Sequence, residues 1–168
     1  MPIASALGPA RSDWVNAAPF RAHVVHLMNN AQVPWPVVAY QAGVPRAAVR
    51  TLLFGRNGHI RPKIAYRVGE SLLALRPDDL AWLRTGQIDA TRTGRHLRAL
   101  RAYRLTWTQI SHLVQLDQAT CQAIAAGHQP WCAALTDVLA QCACEQAGLT
   151  PDSDIRANAG WRSAGDPA

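Results

Sequence analysis

The stretch "VPWPVVAYQAGVPRAAVRTLLFGR" occupies residues 33–56, and "LTWTQISHLVQLDQATCQAIAAGH" occupies residues 105–128. Aligned on Trp35 and Trp107, the two are offset by 72 residues. At that offset Val25 meets Leu97, Met28 meets Leu100, and Val33 meets Leu105. Val38 meets Ile110, Val44 meets Leu116, Val49 meets Cys121, Leu52 meets Ile124, and Gly55 meets Gly127. Almost every match sets apolar on apolar, so the repeat preserves a buried face. In each copy a small residue (Ala39, Ser111) lets a second helix approach. A turn residue follows four positions on (Gly43, Gln115), then an apolar residue (Val44, Leu116), then a pair three apart on the next helix. That layout is a helix-turn-helix, whose last apolar pair anchors a recognition helix and leaves its opposite face free. A left-handed turn residue suits Gly43 and costs a residue such as Gln115 roughly 1 kcal/mol.

Outward from these segments the chain reads as all-α, two helix-turn-helix units in tandem. Residues 1–16 are rich in Pro, Ala and Gly without a period and are expected to form a loose arm. A first domain spans residues 17–84. Its helices begin near Ala18, at Trp35, after Pro45 and at Pro62, the last with Ile64, Ala65, Val68, Leu72 and Leu75 on one face. "RPDD" offers Asp78 or Asp79 as a cap for one more short helix. "TGQIDAT" marks a linker over residues 85–91. A second domain covers residues 92–148, with Leu97, Leu100 and Tyr103 inward on its first helix. Its last helix opens at Pro130, with Trp131, Leu135, Val138 and Leu139 inward, and stops at Gly148. Residues 149–168 form a polar tail expected to be partly ordered.

The bulk properties narrow the function. In 168 residues there is a net charge of +6, and the pI is near 9.8. Anionic partners are favoured, nucleic acid ahead of a membrane surface. The start has no signal-peptide pattern and no apolar run reaches membrane-spanning length, so a cytoplasmic, nucleoid-associated protein is expected. The four cysteines make no Cys-x-x-Cys pair, and Cys142 and Cys144 point about 200° apart around a helix. No HExxH motif, no paired carboxylates and no phosphate-binding glycine loop appear. His23 and His26 lack a neighbouring carboxylate. Neither an enzyme nor a metal or other cofactor is expected.

The basic residues fall into two patterns. Between Arg46 and Arg67 there are six basic residues and no acidic one. With Val49, Leu52 and Leu53 inward, Arg46, Ala47, Arg50 and Thr51 face outward as candidate base readers. Arg56, His59, Arg61 and Lys63 lie in a glycine-containing loop suited to phosphates. The second recognition helix offers Gln118 and Gln122, preceded by Asp117, which repels phosphate. There the charge lies on the supporting helix instead. Arg92, Arg95, Arg98, Arg101 and Arg104 recur every third residue, a row that drifts about 60° per step and so spirals. Arg95, Arg98, Arg101 and Arg104 are the candidate phosphate contacts of that copy. Trp35 and Trp107, at equivalent positions, read as core anchors rather than base-stacking platforms.

The stretches "PFRAHVVHLM", Trp-Pro, "AGVP", "LLFGR" and "IRP" resemble the tandem helix-turn-helix proteins of actinobacteria and their phages. "TRTGRHLRALRAYRLTW" and "SDIRANAGWR" are similar to the second half and ending of that family, so the resemblance covers roughly residues 18–162. It implies DNA binding and a regulatory role. The chain departs from the family at Gln115, where Gly is usual, and in a less basic tail. The expectation is a sequence-specific double-stranded DNA-binding protein, a repressor-like transcriptional regulator reading DNA with its first recognition helix. Two alternatives stand beside it. In one, the second copy is a homodimer or partner-binding module and only the first touches DNA. In the other, the chain is a non-specific nucleoid binder.

Overall fold

In each copy a pair of very short strands brackets the first three helices, and a fourth follows. The computed structural model describes residues 13–150. Over these the chain is mostly helical and divides into units of residues 1–80 and 81–168. In the first unit β1 (Trp14–Asn16) leads into α1 (Ala18–Ala31), α2 (Trp35–Gln41) and α3 (Arg46–Phe54), then β2 (Lys63–Ala65) and α4 (Tyr66–Ala74). Helix α5 (Pro77–Thr85) spans the division. The second unit repeats the order as β3 (Gln87–Asp89), α6 (Thr91–Ala102), α7 (Trp107–Val114), α8 (Gln118–Ala126), β4 (Trp131–Ala133) and α9 (Ala134–Gln146). No described helix is long and apolar enough to cross a membrane.

The strands correct the purely helical reading. β1 pairs antiparallel with β2, Val15 opposite Ile64, and β3 with β4, Ile88 opposite Cys132. Residues 14–16 of the expected arm form β1, and the expected linker over residues 85–91 carries β3 inside the second unit. The helices expected from Pro62 and Pro130 start only at Tyr66 and Ala134. In both copies the intervening residues pair with the strand that precedes the first helix. Trp131 thus lies on a strand and is 54% exposed rather than inward. The expected arm over residues 1–12 and the expected tail over residues 151–168 lie outside the described residues.

The same small hydrogen-bond set closes both copies. Asn16 Oδ1 accepts from the Ala18 amide at 3.0 Å, and Asp89 Oδ1 accepts from the Thr91 amide at 2.9 Å. These side chains satisfy amides at the start of α1 and α6, where a helix leaves its own unpaired. The Ala17 amide donates to the Pro62 carbonyl at 2.8 Å, and the Ala90 amide to the Pro130 carbonyl at 2.9 Å.

The core of the first unit gathers Val24 and Leu27 of α1, Val37, Val38 and Ala39 of α2, Val49 and Leu52 of α3, and Leu72 of α4, all buried. The second unit answers with Leu97, Leu100, Ile110, Val114, Cys121 and Ile124, together with most of α9. The 72-residue offset holds through the second and third helices of each copy, where Val38 and Ile110, Val49 and Cys121, and Leu52 and Ile124 are all buried. It shifts by one in the first helix. There the buried pairs are Val24 with Leu97 and Leu27 with Leu100, while Val25 is 42% exposed. The cause is length: left-handed Gln32 lies fifteen residues past Ala17, and left-handed Arg104 fourteen past Ala90. Tyr103, expected inward, is 55% exposed because α6 ends before it.

The polar content of the two cores differs at one equivalent locus. In the first unit Phe20 of α1 lies against Gly69 of α4, so closely that a Cβ there would sit 2.6 Å from the ring. In the second, the same register holds Thr93 and Asp137. The Thr93 hydroxyl donates to Asp137 Oδ1 at 2.8 Å, and Arg92 Nη1 lies 3.6 Å from Asp137 Oδ2. His96 is fully buried beside them, its Nδ1 4.0 Å from the same carboxylate. A buried carboxylate is tolerated there because donors surround it.

Candidate nucleic-acid interface

Helices α2 and α3 are short, and the turn between them fixes their relation. Gly43 adopts φ +65°, and the Val44 amide reaches back to the Ala39 carbonyl at 3.1 Å. Ala39 is fully buried where the helices approach. With Val49 and Leu52 buried, Ala47 and Arg50 are exposed while Arg46 and Thr51 are half-buried. The Arg46 guanidinium stands 5.6 Å over the half-buried Trp35 ring, and that ring meets Phe54 edge-on at 6.3 Å. A cation over an indole face is attracted by the ring quadrupole, so Arg46 is held in orientation while Arg50 projects into solvent.

The far end of α3 is tied down by a residue that sequence reasoning missed. Arg21 of α1 donates through Nε to the Leu52 carbonyl at 2.7 Å and through Nη2 to the Arg61 carbonyl at 3.2 Å. It therefore bridges the last turn of α3 and the loop that follows, where a cation also complements the helix dipole. A partner that is a backbone carbonyl 31 residues away leaves no side-chain pattern in the sequence.

The loop itself is ordered by its backbone. Arg56 and His59 pair, amide to carbonyl, at 3.0 and 3.1 Å. Between them Asn57 and Gly58 take φ +52° and +78°, the two positive values of a type I′ turn. Arg56, Asn57, His59, Arg61 and Lys63 are all exposed. Arg61 and Lys63 also border a cavity of about 180 Å³ walled by Trp14, Leu52 and Ile64.

The second copy is built alike and equipped differently. Gln115 takes the left-handed turn position at φ +55°, ψ 42°. Thr106 and Gln109 form a reciprocal cap at the start of α7. Asp117 caps α8, accepting from the Thr120 amide at 2.9 Å and the Thr120 hydroxyl at 2.6 Å. The Thr120 side chain and then its backbone amide hold this carboxyl below the usual range, so it stays negative at the helix start. Gln118 is engaged with the Thr108 hydroxyl at 2.9 Å, and Gln122 is exposed.

Three arginines of the α6 spiral bond within their own unit. Arg92 reaches Asp137 and, at 3.0 Å, Gln141. Arg98 donates to the Ala125 carbonyl at 2.6 Å. Arg101 donates to the Leu105 carbonyl at 3.0 Å and stands 5.9 Å over Trp107. Arg95 is half-buried, and Arg104 is exposed. Arg98 does for α8 what Arg21 does for α3, from one helical turn further along. The position equivalent to Arg21 is Gly94, where a Cβ would lie 2.8 Å from the Ile124 carbonyl. Trp35 and Trp107 are each half-buried with an arginine over the ring, which leaves neither an open stacking platform.

His23 bonds the Leu75 carbonyl at 3.2 Å and His26 bonds Asn30, so the two do not converge. Among the described residues no three His, Cys, Asp or Glu side chains are placed to hold a metal. All four cysteines are buried. Burial pushes the Cys121 and Cys132 thiols up, away from nucleophilic character. No family model, curated protein or solved structure matches the chain, so its function is argued from these residues.

Proposed function

We propose that the chain binds double-stranded DNA sequence-specifically and acts as a transcriptional regulator, with α2 and α3 as a helix-turn-helix and α3 in a major groove. The observation that carries this is the outer face of α3. Arg46 is oriented by Trp35, Arg50 is free to reach from the next turn, and cations continue past the helix with no acidic residue from Arg46 to Arg67. Arginine is the commonest reader of guanine O6 and N7, and Ala47 and Thr51 beside it suit thymine methyls. Arg61 and Lys63 hold phosphates.

Selection of bound fragments from a random duplex pool at about 0.15 M salt tests this. The expected result is a defined motif for the whole chain. Arg50→Ala is expected to lose about 1–3 kcal/mol on that motif and little on random DNA. Absence of a motif, or equal loss on both duplexes, overturns the base-reading role.

A second reading concerns the second unit alone. Its supporting arginines at 92, 98 and 101 are engaged within the unit, and Asp117 stands at the start of α8. Those observations favour α7 and α8 as a protein-binding surface, with only the first unit on DNA. Gln122→Ala is then expected to leave the selected motif unchanged. A shorter or altered motif assigns α8 to DNA.

A further inference from the structure

The two copies differ in length at one place after their third helices. Gly55 and Gly127 are 72 residues apart, but Pro62 and Pro130 are 68 apart. The first copy thus carries four additional residues between the end of α3 and the strand that follows. The Arg56–His59 turn lies within that interval, and the corresponding interval of the second copy has no such turn among its described residues.

The turn is narrow, fixed and cationic. Two backbone hydrogen bonds close it, and Asn57-Gly58 supplies the left-handed pair that a type I′ turn requires. A Cβ at Gly55 would collide with the His59 carbonyl, so the base of the turn presses on the end of α3. Arg21 grips the chain on both sides of it, at Leu52 and at Arg61. Every side chain from Arg56 to Ile60 is exposed.

We infer that this turn is a second DNA-reading element, a tip whose side chains enter the minor groove beside the major-groove site of α3. This rests on the proposed placement of α3. The two segments of the turn lie about 5 Å apart centre to centre, too wide together for a minor groove about 6 Å across, so it is the side chains projecting from the tip, Arg56 and Asn57, that reach into the groove. Gly58 adds no side chain to the width of the tip. Arg56 flanks the tip, and an arginine is drawn to the enhanced negative potential of a narrow A·T-rich minor groove. Asn57 at the tip can meet the minor-groove acceptors of adenine and thymine. The chemical class of site is therefore an A·T segment flanking the motif read by α3.

The test uses the full chain and its selected duplex. Adenine in the flanking A·T segment is replaced by 2,6-diaminopurine, which adds an amino group in the minor groove and leaves the major-groove edge intact. A variant carrying Arg56→Ser and Asn57→Gly removes both proposed readers and leaves Gly-Gly, a pair that also forms a type I′ turn, and so keeps the turn. The wild type is expected to lose at least about fivefold in affinity on the modified duplex, and the variant less than about twofold. Equal losses for both proteins overturn the inference. So does a variant that weakens uniformly on all duplexes, which makes the turn a phosphate clamp. Arg50→Ala run in parallel separates the two ideas. Loss of discrimination there, with no diaminopurine effect in the wild type, leaves α3 as a reader and removes the tip.

Discussion

Arg46 and Arg50 lie one turn apart on α3, yet the chain treats them differently. Arg46 is held over Trp35, and Arg50 is not held at all among the described residues. An exposed cation–π contact is worth about 0.5–1 kcal/mol, here acting as preorganisation. Trp35→Leu should therefore weaken binding to the selected duplex about two- to fivefold, measured by fluorescence anisotropy. Arg21 and Arg98 do the opposite kind of work, donating to carbonyls near the ends of α3 and α8. Arg98→Ala should cost about 1–3 kcal/mol in urea unfolding, because the Ala125 carbonyl loses a charged donor. It should leave the salt dependence of DNA binding unchanged. Lys63→Ala should show the reverse, an unaltered melt and a salt slope smaller by about 1. A reduced slope for Arg98→Ala would return that residue to the phosphate contacts assigned to it from sequence.

At the scale of elements, α7 and α8 offer two predictions. Gln115 occupies a left-handed position that a residue with a Cβ enters at a cost of about 1–2 kcal/mol. Glycine removes that cost and gives part of it back as chain entropy, so Gln115→Gly should stabilise by about 0.5–1 kcal/mol by calorimetry. Asp117 supplies a pH dependence. Its folded pKa is depressed, so the cap contributes above the unfolded pKa and is lost as pH falls through the folded value. The protection of the Thr120 amide, corrected for the intrinsic exchange rate, should fall ahead of that of the α8 interior as pH drops below about 4. Unchanged protection of Thr120 down to pH about 2.5 would show that the carboxylate does not hold the helix start.

The elements also show what the sequence could disclose. The bounds of α2, α3 and α7 were readable because proline or threonine precedes each start and a turn residue marks the end of α2 and α7. The strands were not, since three residues are too few to show alternation and their partners lie some fifty or forty residues away. Phase in α1 was misjudged by one position because its extra residue sits in a helix, where no punctuation announces it. Of the candidate site, the outward face of α3 followed from Val49 and Leu52. Engagement of the α6 arginines did not, because Arg98 binds a backbone carbonyl 27 residues on and Arg92 a carboxylate of α9, neither of which leaves a pattern in the sequence.

At the scale of the molecule, two units share an order of elements and divide their use of charge. The first leaves its cations exposed beyond α3, and in the second Arg92, Arg98 and Arg101 bond to a carboxylate or to carbonyls of the same unit. Two similarly built halves on one chain also raise a hazard during folding: a helix from one half can dock on the wrong partner. The exchange of Phe20 and Gly69 for Thr93 and Asp137 works against it. Were α1 to settle on α9, the Phe20 ring would cover the Asp137 carboxylate and strip it of water without offering a donor. Were α6 to settle on α4, Thr93 would face Gly69 and leave a void where a ring belongs. Each such mismatch would be costly where the native match is not, so the residues at the two loci disfavour exchange of helices between the halves of the repeat.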